Sequence, residues 1–243
     1  MFIDCHAHLD DKWFSKDLDE VISRAENAGI IAIIQNGLNH KTNEASLALS
    51  KKYKIVRPAF GIYPSEINED VEKVCDFIKK HKKEVAAIGE VGLDGTHEKM
   101  DEQKIIFSRM ISLAKELDKP MSVHTRKAEL ETLDQLENEN VPKAHLHCFM
   151  GSMTLVKRAV KLGFYFSIPC TIERSTHFQE MVKIVPTTQI LTETDSPYLG
   201  VEKGVRNEPS NIPLTVKKIA EIKGLEVEET KKIIFMNYKR VFG

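Results

Sequence analysis

The sequence predicts an α/β fold, a (β/α)8 TIM barrel built as a single domain over residues 1–243, and three observations carry that prediction. Short apolar runs rich in Ile, Val and Phe alternate with longer amphipathic, charged stretches from one end of the chain to the other. Eight such runs can be counted, and no Gly/Ser-rich or Pro-rich linker interrupts them. Strict alternation implies parallel strands, since each parallel connection needs a crossover element. Dividing 243 residues by eight leaves about thirty per unit, the length of a strand with its crossover helix, and this favours a closed barrel over an open doubly wound sheet.

In chain order the apolar runs are Met1 to His6, Ile30 to Asn36, Ile55 to Ile62, Val85 to Leu93, Pro120 to His124, Ala144 to Phe149, Phe164 to Ile168 and Gln189 to Thr194. Between them, charged stretches with apolar residues at helical spacing mark candidate helices at Asp17 to Ala28, Asp70 to Lys80, Glu102 to Leu117, Thr154 to Lys161, Leu214 to Lys223 and Val227 to Phe235. The least regular stretch, Ser196 to Pro213, holds Pro197, Pro209, Pro213, Gly200 and Gly204 and reads as a long loop leaving the last strand. Such loops often carry function.

Charge narrows the partners. With 35 Lys plus Arg against 36 Asp plus Glu the formal charge is -1, so the chain does not hold nucleic acid or membrane by bulk positive charge. At 42% hydrophobic and 29% charged the composition is that of an ordinary globular protein. Asp4 stands where a signal peptide would build its apolar core, and the longest apolar stretch, Ala28 to Ile34, falls far short of the ~20 residues that span a bilayer. Cys5, Cys75, Cys148 and Cys170 form no Cys-x-x-Cys and suggest neither a disulfide framework nor a thiolate zinc site, so a cytoplasmic setting is expected. No membrane and no obligate protein partner are implied.

The informative residues are the metal-type side chains at the strand ends. His6 and His8 end the first run, Glu90 sits near the end of the fourth, His124 ends the fifth, His147 ends the sixth and Asp195 follows the eighth. In a barrel the carboxyl ends of the strands meet at one mouth, so these distant positions would converge there. His6 and His8, two apart, would share one face of an extended segment. Four imidazoles with two carboxylates suit Zn, Mn, Fe or Co better than calcium. One catalytic zinc uses three or four protein ligands, whereas two ions bridged by a carboxylate would use all six and could activate water for attack on an ester or amide. Asp4 stands in the same relation to His6 and is expected to orient an imidazole. His145 is expected to be a buried, satisfied histidine, and His40, His81, His97 and His177 to be solvated.

Longer blocks carry a family resemblance. Phe2-Ile3-Asp4-Cys5-His6-Ala7-His8-Leu9-Asp10, Ala87-Ile88-Gly89-Glu90-Val91-Gly92-Leu93-Asp94, His124-Thr125-Arg126, His147-Cys148-Phe149-Met150-Gly151-Ser152, Glu193-Thr194-Asp195-Ser196-Pro197-Tyr198-Leu199, Arg206-Asn207-Glu208-Pro209 and Asn237-Tyr238-Lys239-Arg240-Val241-Phe242 follow one another as in the TatD family of metal-dependent deoxyribonucleases, within the amidohydrolase-like barrels, which the chain resembles nearly end to end. The resemblance implies two divalent ions per chain (zinc, manganese or magnesium), one held by His6, His8 and Asp195, a second by His124 and His147, with Glu90 bridging. It also implies that Asp195 takes a proton from the attacking water, and that Arg126 and Arg206 are candidates to hold phosphate oxygens.

Two departures bear on substrate. Where the family usually reads Gly-x-His-Pro this chain has Gly61-Ile62-Tyr63-Pro64, so a phenol that can donate a hydrogen bond to phosphate replaces an imidazole. After Leu93-Asp94, Gly95-Thr96-His97 replaces the usual aromatic residues and removes a possible base-stacking surface. The leading expectation is a 3′–5′ exonuclease that cleaves phosphodiester bonds of DNA at single-stranded ends by metal-activated water, with DNA bound at the barrel mouth. An amide, lactone or aminoacyl-ester hydrolase of the same superfamily is the alternative. A scaffolding barrel that has lost catalysis would lack a ligand, and none of the six is missing.

Overall fold

The structure, a computed structural model, describes residues 1–243. Eight parallel strands form one sheet in sequence order, β1 (Phe2–Ala7), β2 (Ile30–Asn36), β3 (Val56–Phe60), β4 (Ala87–Asp94), β5 (Met121–Arg126), β6 (Ala144–His147), β7 (Tyr165–Pro169) and β8 (Ile190–Glu193). The sheet curls until β8 meets β1. That seam is made by Thr192 Oγ1 donating to Ile3 O (2.6 Å), by the Asp4 carboxylate accepting from Thr194 N (2.9 Å) and Thr194 Oγ1 (2.5 Å), and by a bridge from Ala7 to Ser196. The TIM barrel expected from the alternating pattern is the fold that forms.

Each of the eight apolar runs overlaps a strand, and β2 matches its run end to end, while β1, β4, β5 and β7 extend one or two residues further. Nine helices surround the barrel: α1 (Leu18–Asn27), α2 (His40–Lys52), α3 (Val71–Lys80), α4 (Met100–Glu116), α5 (Glu129–Asn138), α6 (Met153–Lys161), α7 (Thr176–Ile184), α8 (Ile212–Lys223) and α9 (Val227–Phe242). α9 runs two turns beyond the expected Phe235. The buried amide of Asn237 donates to Thr187 O and Ile190 O (2.7 and 2.8 Å), so a residue that reads as polar there faces the barrel. The irregular stretch after β8 ends earlier than expected, in a 3-10 turn at Pro209–Asn211 that leads into α8.

A main cluster of 48 buried apolar residues fills the space between strands and helices. A second cluster joins Ile3, Cys5, Ala32, Ile34, Ala59, Ala87 and Leu191 of five strands to Tyr238 and Val241 of α9, while Phe242 packs edge-on against His145 of β6 (5.7 Å). Side chains from so many strands meet only inside the barrel, so the end of α9 plugs the floor opposite the mouth.

Three of the four histidines expected in solvent are partly buried. His40 and His81 lie against Phe77 (ring centroids 5.4 and 4.8 Å) and His177 Nε2 donates to Phe149 O (3.1 Å); His97 alone is largely exposed, at 44%. His145 is buried as expected but half satisfied, with Nε2 on Ser167 Oγ (2.6 Å) and Nδ1 without a partner.

Candidate metal centre

His6, His8, Glu90, His124, His147 and Asp195 all reach the mouth. Two irregularities of the barrel aim them. The β1–β2 register slips between Asp4 and Ala7, and the β4–β5 register between Ile88 and Val91, so the stretches carrying His6 and Glu90 leave simple two-residue alternation. Bulges of this kind turn side chains that a flat strand would point elsewhere. Gly61 lets the chain after β3 press against the same stretch of β4, because a Cβ there would lie 2.6 Å from the Glu90 carbonyl oxygen. Asp195 and Cys148 sit in the left-handed region (φ +51° and +43°), a strain of about 1–3 kcal/mol each that the surrounding structure must hold.

Glu90 is the hub. Its Oε2 lies 3.3 Å from both His6 Nε2 and His8 Nε2, and its Oε1 lies 2.9 Å from His124 Nδ1 and 3.1 Å from His147 Nε2. Each carboxylate oxygen thus faces one histidine pair. Asp195 Oδ1 adds to the first pair, 3.4 Å from His8 Nε2 and 3.7 Å from His6 Nε2. Nitrogens within each pair are 3.2 Å (His6, His8) and 3.1 Å (His124, His147) apart.

The second nitrogen of every ring faces an oxygen. His8 Nδ1 donates to Asn36 O (3.2 Å), His124 Nε2 to Asp94 Oδ2 (3.2 Å) and His6 Nδ1 lies 3.3 Å from Ser122 Oγ, whereas His147 Nδ1 lies 3.6 Å from Glu193 Oε2 and makes no hydrogen bond. With the outer nitrogen carrying the proton, the inner lone pairs converge on one small volume. Lone pairs and carboxylates brought together without an intervening donor fit divalent cations of the imidazole-preferring kind.

Charge in the cluster agrees. Against the cost of burial, the charges of His147 and His6 and hydrogen bonds from His124 and His147 hold the Glu90 carboxyl well below the usual range. Asp195, half-buried, is lowered against the cost of burial by its hydrogen bond with His8 and by the neighbouring imidazoles. Burial, with His147 alongside, pushes His6 down to about 4, whereas hydrogen bonds to Asp195 and Glu90 overcome burial and raise His8 to about 10. The two carboxylates draw positive charge to the centre, and a cation there would take the place of those protons.

Other expected residues fall differently. Asp4 does not touch an imidazole. Its carboxylate accepts from the His6 backbone N (3.3 Å) and from Thr194, because the register slip breaks the alternation that would have put Asp4 and His6 on one face. Ser122 stands beside His6 instead. Tyr63 reaches the centre, its hydroxyl donating to Asp94 Oδ2 (3.3 Å) and 3.4 Å from His124 Nε2; burial together with Glu90 and Asp94 raises its pKa, so it stays a neutral phenol. Arg126 is exposed at the end of β5 and makes no side-chain hydrogen bond. Arg206 is not a free fork: it binds Asp17 through both branches (2.7 and 2.6 Å), donates to Trp13 O (2.7 Å) and stacks on Phe14 (4.9 Å). The sequence alone assigns no role in the centre to Asp94, Ser122, Asn36 or Glu193. Their only mark in the sequence is position, Asp94 as the acid closing β4 and Glu193 as the acid closing β8.

The family model described as TatD related DNase matches residues 3–243. Human Deoxyribonuclease TATDN3 is 37% identical, over 99% of this chain and 94% of the relative. The 3'-5' ssDNA/RNA exonuclease TatD of Shigella flexneri serotype 5b (strain 8401) is 28% identical, over 99% of this chain and 98% of its own length. Among solved structures, the TatD homologue YJJV of Escherichia coli K12 superposes with a TM-score of 0.93 at 25% identity, covering 99% of this chain and 97% of that one.

Proposed function

This chain belongs to the TatD related DNase family, and from that premise we propose that it is a metal-dependent hydrolase of DNA phosphodiester bonds, acting as a 3′–5′ exonuclease on single-stranded ends. One observation supports this reading most directly: the two oxygens of Glu90 each face a separate histidine pair, which suits two ions sharing one carboxylate. His6, His8 and Asp195 would hold one divalent ion, zinc, manganese or magnesium, and His124 and His147 the other. When bound, such ions polarise the phosphate and lower the pKa of water so that it attacks near neutral pH.

The chain's own groups do the rest. Asp195, whose side chain is the more exposed of the two carboxylates at 14% against 3% for Glu90, can take the proton of the attacking water at Oδ2 while Oδ1 faces the histidines. Asp94, Ser122 and Asn36 keep three of the rings turned inward, and the Glu193 carboxylate lies 3.6 Å behind the fourth. Tyr63 presents a neutral hydroxyl to a phosphate oxygen, and Arg126 lies free beside it to add a charged, forked contact. Arg206 acts at one remove by fixing the rim. No helix is long and apolar enough to cross a membrane, and the four free cysteines fit the cytoplasm, where we place the reaction.

The test is digestion of a 5′-labelled single-stranded oligonucleotide by metal-loaded protein, with products resolved by length and bound metal counted in parallel. A ladder shortening from the 3′ end is expected, with two ions per chain, and both activity and ions should be lost on chelation. His124→Ala should abolish cleavage. Equal digestion with and without His124, or hydrolysis confined to esters and amides, would overturn the reading.

A further inference from the structure

Two large aromatic side chains stand half in solvent on the rim of the mouth. Trp13 is 50% exposed and Tyr198 is 52% exposed. Trp13 lies in a 3-10 turn (Lys12–Phe14) just after β1, and Tyr198 in the loop after β8, three residues past Asp195. Single exposed apolar residues are commonplace. These two are fastened together. The two oxygens of Asp11 divide between them, Oδ1 accepting from Trp13 N (2.8 Å) and Oδ2 from Tyr198 Oη (2.9 Å). Arg206 holds the Trp13 carbonyl (2.7 Å), so the backbone of Trp13 is clamped on both sides while its indole is left open.

The pair is continuous with the centre. The Tyr198 ring meets His8 edge-on at 6.2 Å, Tyr198 N donates to Asp195 O (2.8 Å), and Asp11 N donates to His8 O (3.2 Å). A phosphate held at the histidines carries its nucleoside within one residue of this rim. We propose that Trp13 and Tyr198 form a stacking platform for an unpaired nucleobase next to the scissile phosphate, an inference that rests on the nuclease reading above. Bases of every kind have faces that stack on indole and phenol, so the platform would favour single strands without selecting sequence. It would also supply, on the β1 and β8 side, a surface that Gly95 and Thr96 do not offer after β4.

Trp13 is the chain's one tryptophan, so its fluorescence reports this position alone. Adding oligothymidylate to the metal-loaded protein should quench and shift that emission. Trp13→Ala should raise KM about 10-fold, as expected for the loss of one stacked base, with a much smaller change in kcat, and Trp13→Phe should recover part of the loss. An oligonucleotide lacking the base at either of its two 3′-terminal sugars should be a poorer substrate for the wild type and be treated alike by wild type and Trp13→Ala. If the wild type digests DNA while its emission stays constant at saturating oligonucleotide and Trp13→Ala keeps the wild-type KM on both substrates, the platform is refuted and the nuclease stands. Should Trp13→Ala fail to fold, the wild-type titration decides alone. A wild type that neither cleaves nor binds oligonucleotide removes both readings.

Discussion

Replacing Asp94 by Asn exchanges one oxygen for an NH2 group and should disarm a ligand that Asp94 itself does not share. Oδ1 of Asp94 accepts from Thr96 N (2.8 Å) and Thr96 Oγ1 (2.5 Å), and an Asn oxygen can keep both bonds, so the side chain stays in place. Its amide nitrogen then replaces Oδ2 opposite His124 Nε2, 3.2 Å away. Two N–H groups cannot face each other, and the ring escapes by moving its proton to Nδ1. That atom lies 2.9 Å from Glu90 Oε1 and is the one that would bind metal. The substitution therefore removes a charge-assisted hydrogen bond worth about 1.5–3 kcal/mol and turns the ligand's lone pair away. An outer partner of this kind typically governs 10- to 100-fold in metal affinity, or about 1.4–2.7 kcal/mol, and the two figures agree. The assay is equilibration of wild type and Asp94→Asn against buffers of graded free zinc or manganese, with bound metal counted after separation. Loss of about one ion per chain at concentrations that saturate the wild type is expected, with activity recovering at high metal. Equal occupancy across the whole titration would show that Asp94 does not set the tautomer and would refute the reasoning.

Arg126→Ala should raise KM for single-stranded DNA and reduce by about 0.7 the slope of log affinity against log salt, the share of one phosphate contact; a slope equal to that of the wild type would remove Arg126 from the substrate path. The loop after β8 is strapped to α1 by Arg24 donating to Glu208 (2.7 Å). Against partial burial, the hydrogen bonds from Arg24 and Ser210 hold the Glu208 carboxyl below its usual range, so the strap contributes fully above the unfolded value of about 4.3 and weakens as pH falls through the lower folded value. Thermal melts between neutral and acid pH should lose stability less steeply at the acid end in Glu208→Gln than in the wild type, and parallel curves would exclude the pair as a source of acid sensitivity.

Strands were legible because each is a buried apolar run bounded by polar residues. Helices were legible in proportion to their apolar stripe. α3 shows Val74, Cys75 and Ile78 on one face and was expected to within a residue, whereas α2 buries Asn43, Ser46 and Leu47 and has little stripe to read. In the structure its start is fixed by the reciprocal cap between Asn39 and Thr42. The six side chains of the centre were visible since His, Glu and Asp at strand ends are out of keeping with a packed barrel. What surrounds them was not. Ser122 is an unremarkable residue in a strand, and its value comes from meeting His6, 116 positions earlier in the chain. Asp4 misled for the opposite reason: alternation holds only while the register does, and a slip between Asp4 and Ala7 is invisible without the neighbouring strand.

The seam between β8 and β1 has a thermodynamic consequence. Neighbouring strands elsewhere share runs of paired residues, but this junction has one bridge, backbone hydrogen bonds from His8 N to Ser196 O and from Asp195 N to His6 O (2.8 Å each), a threonine hydroxyl and a buried carboxylate. It should be the place where the hoop gives first, with backbone amides at His6, His8 and Asp195 exchanging with solvent ahead of those in β4 and β5. His6 and His8 stand on one side of that junction and Asp195 on the other, 187 positions further along the chain from His8. An ion gripped from both sides would act as a rivet. Loading would then slow exchange across the junction by mass action, and the reactive centre and the mechanical closure of the barrel would rise and fall together with metal concentration.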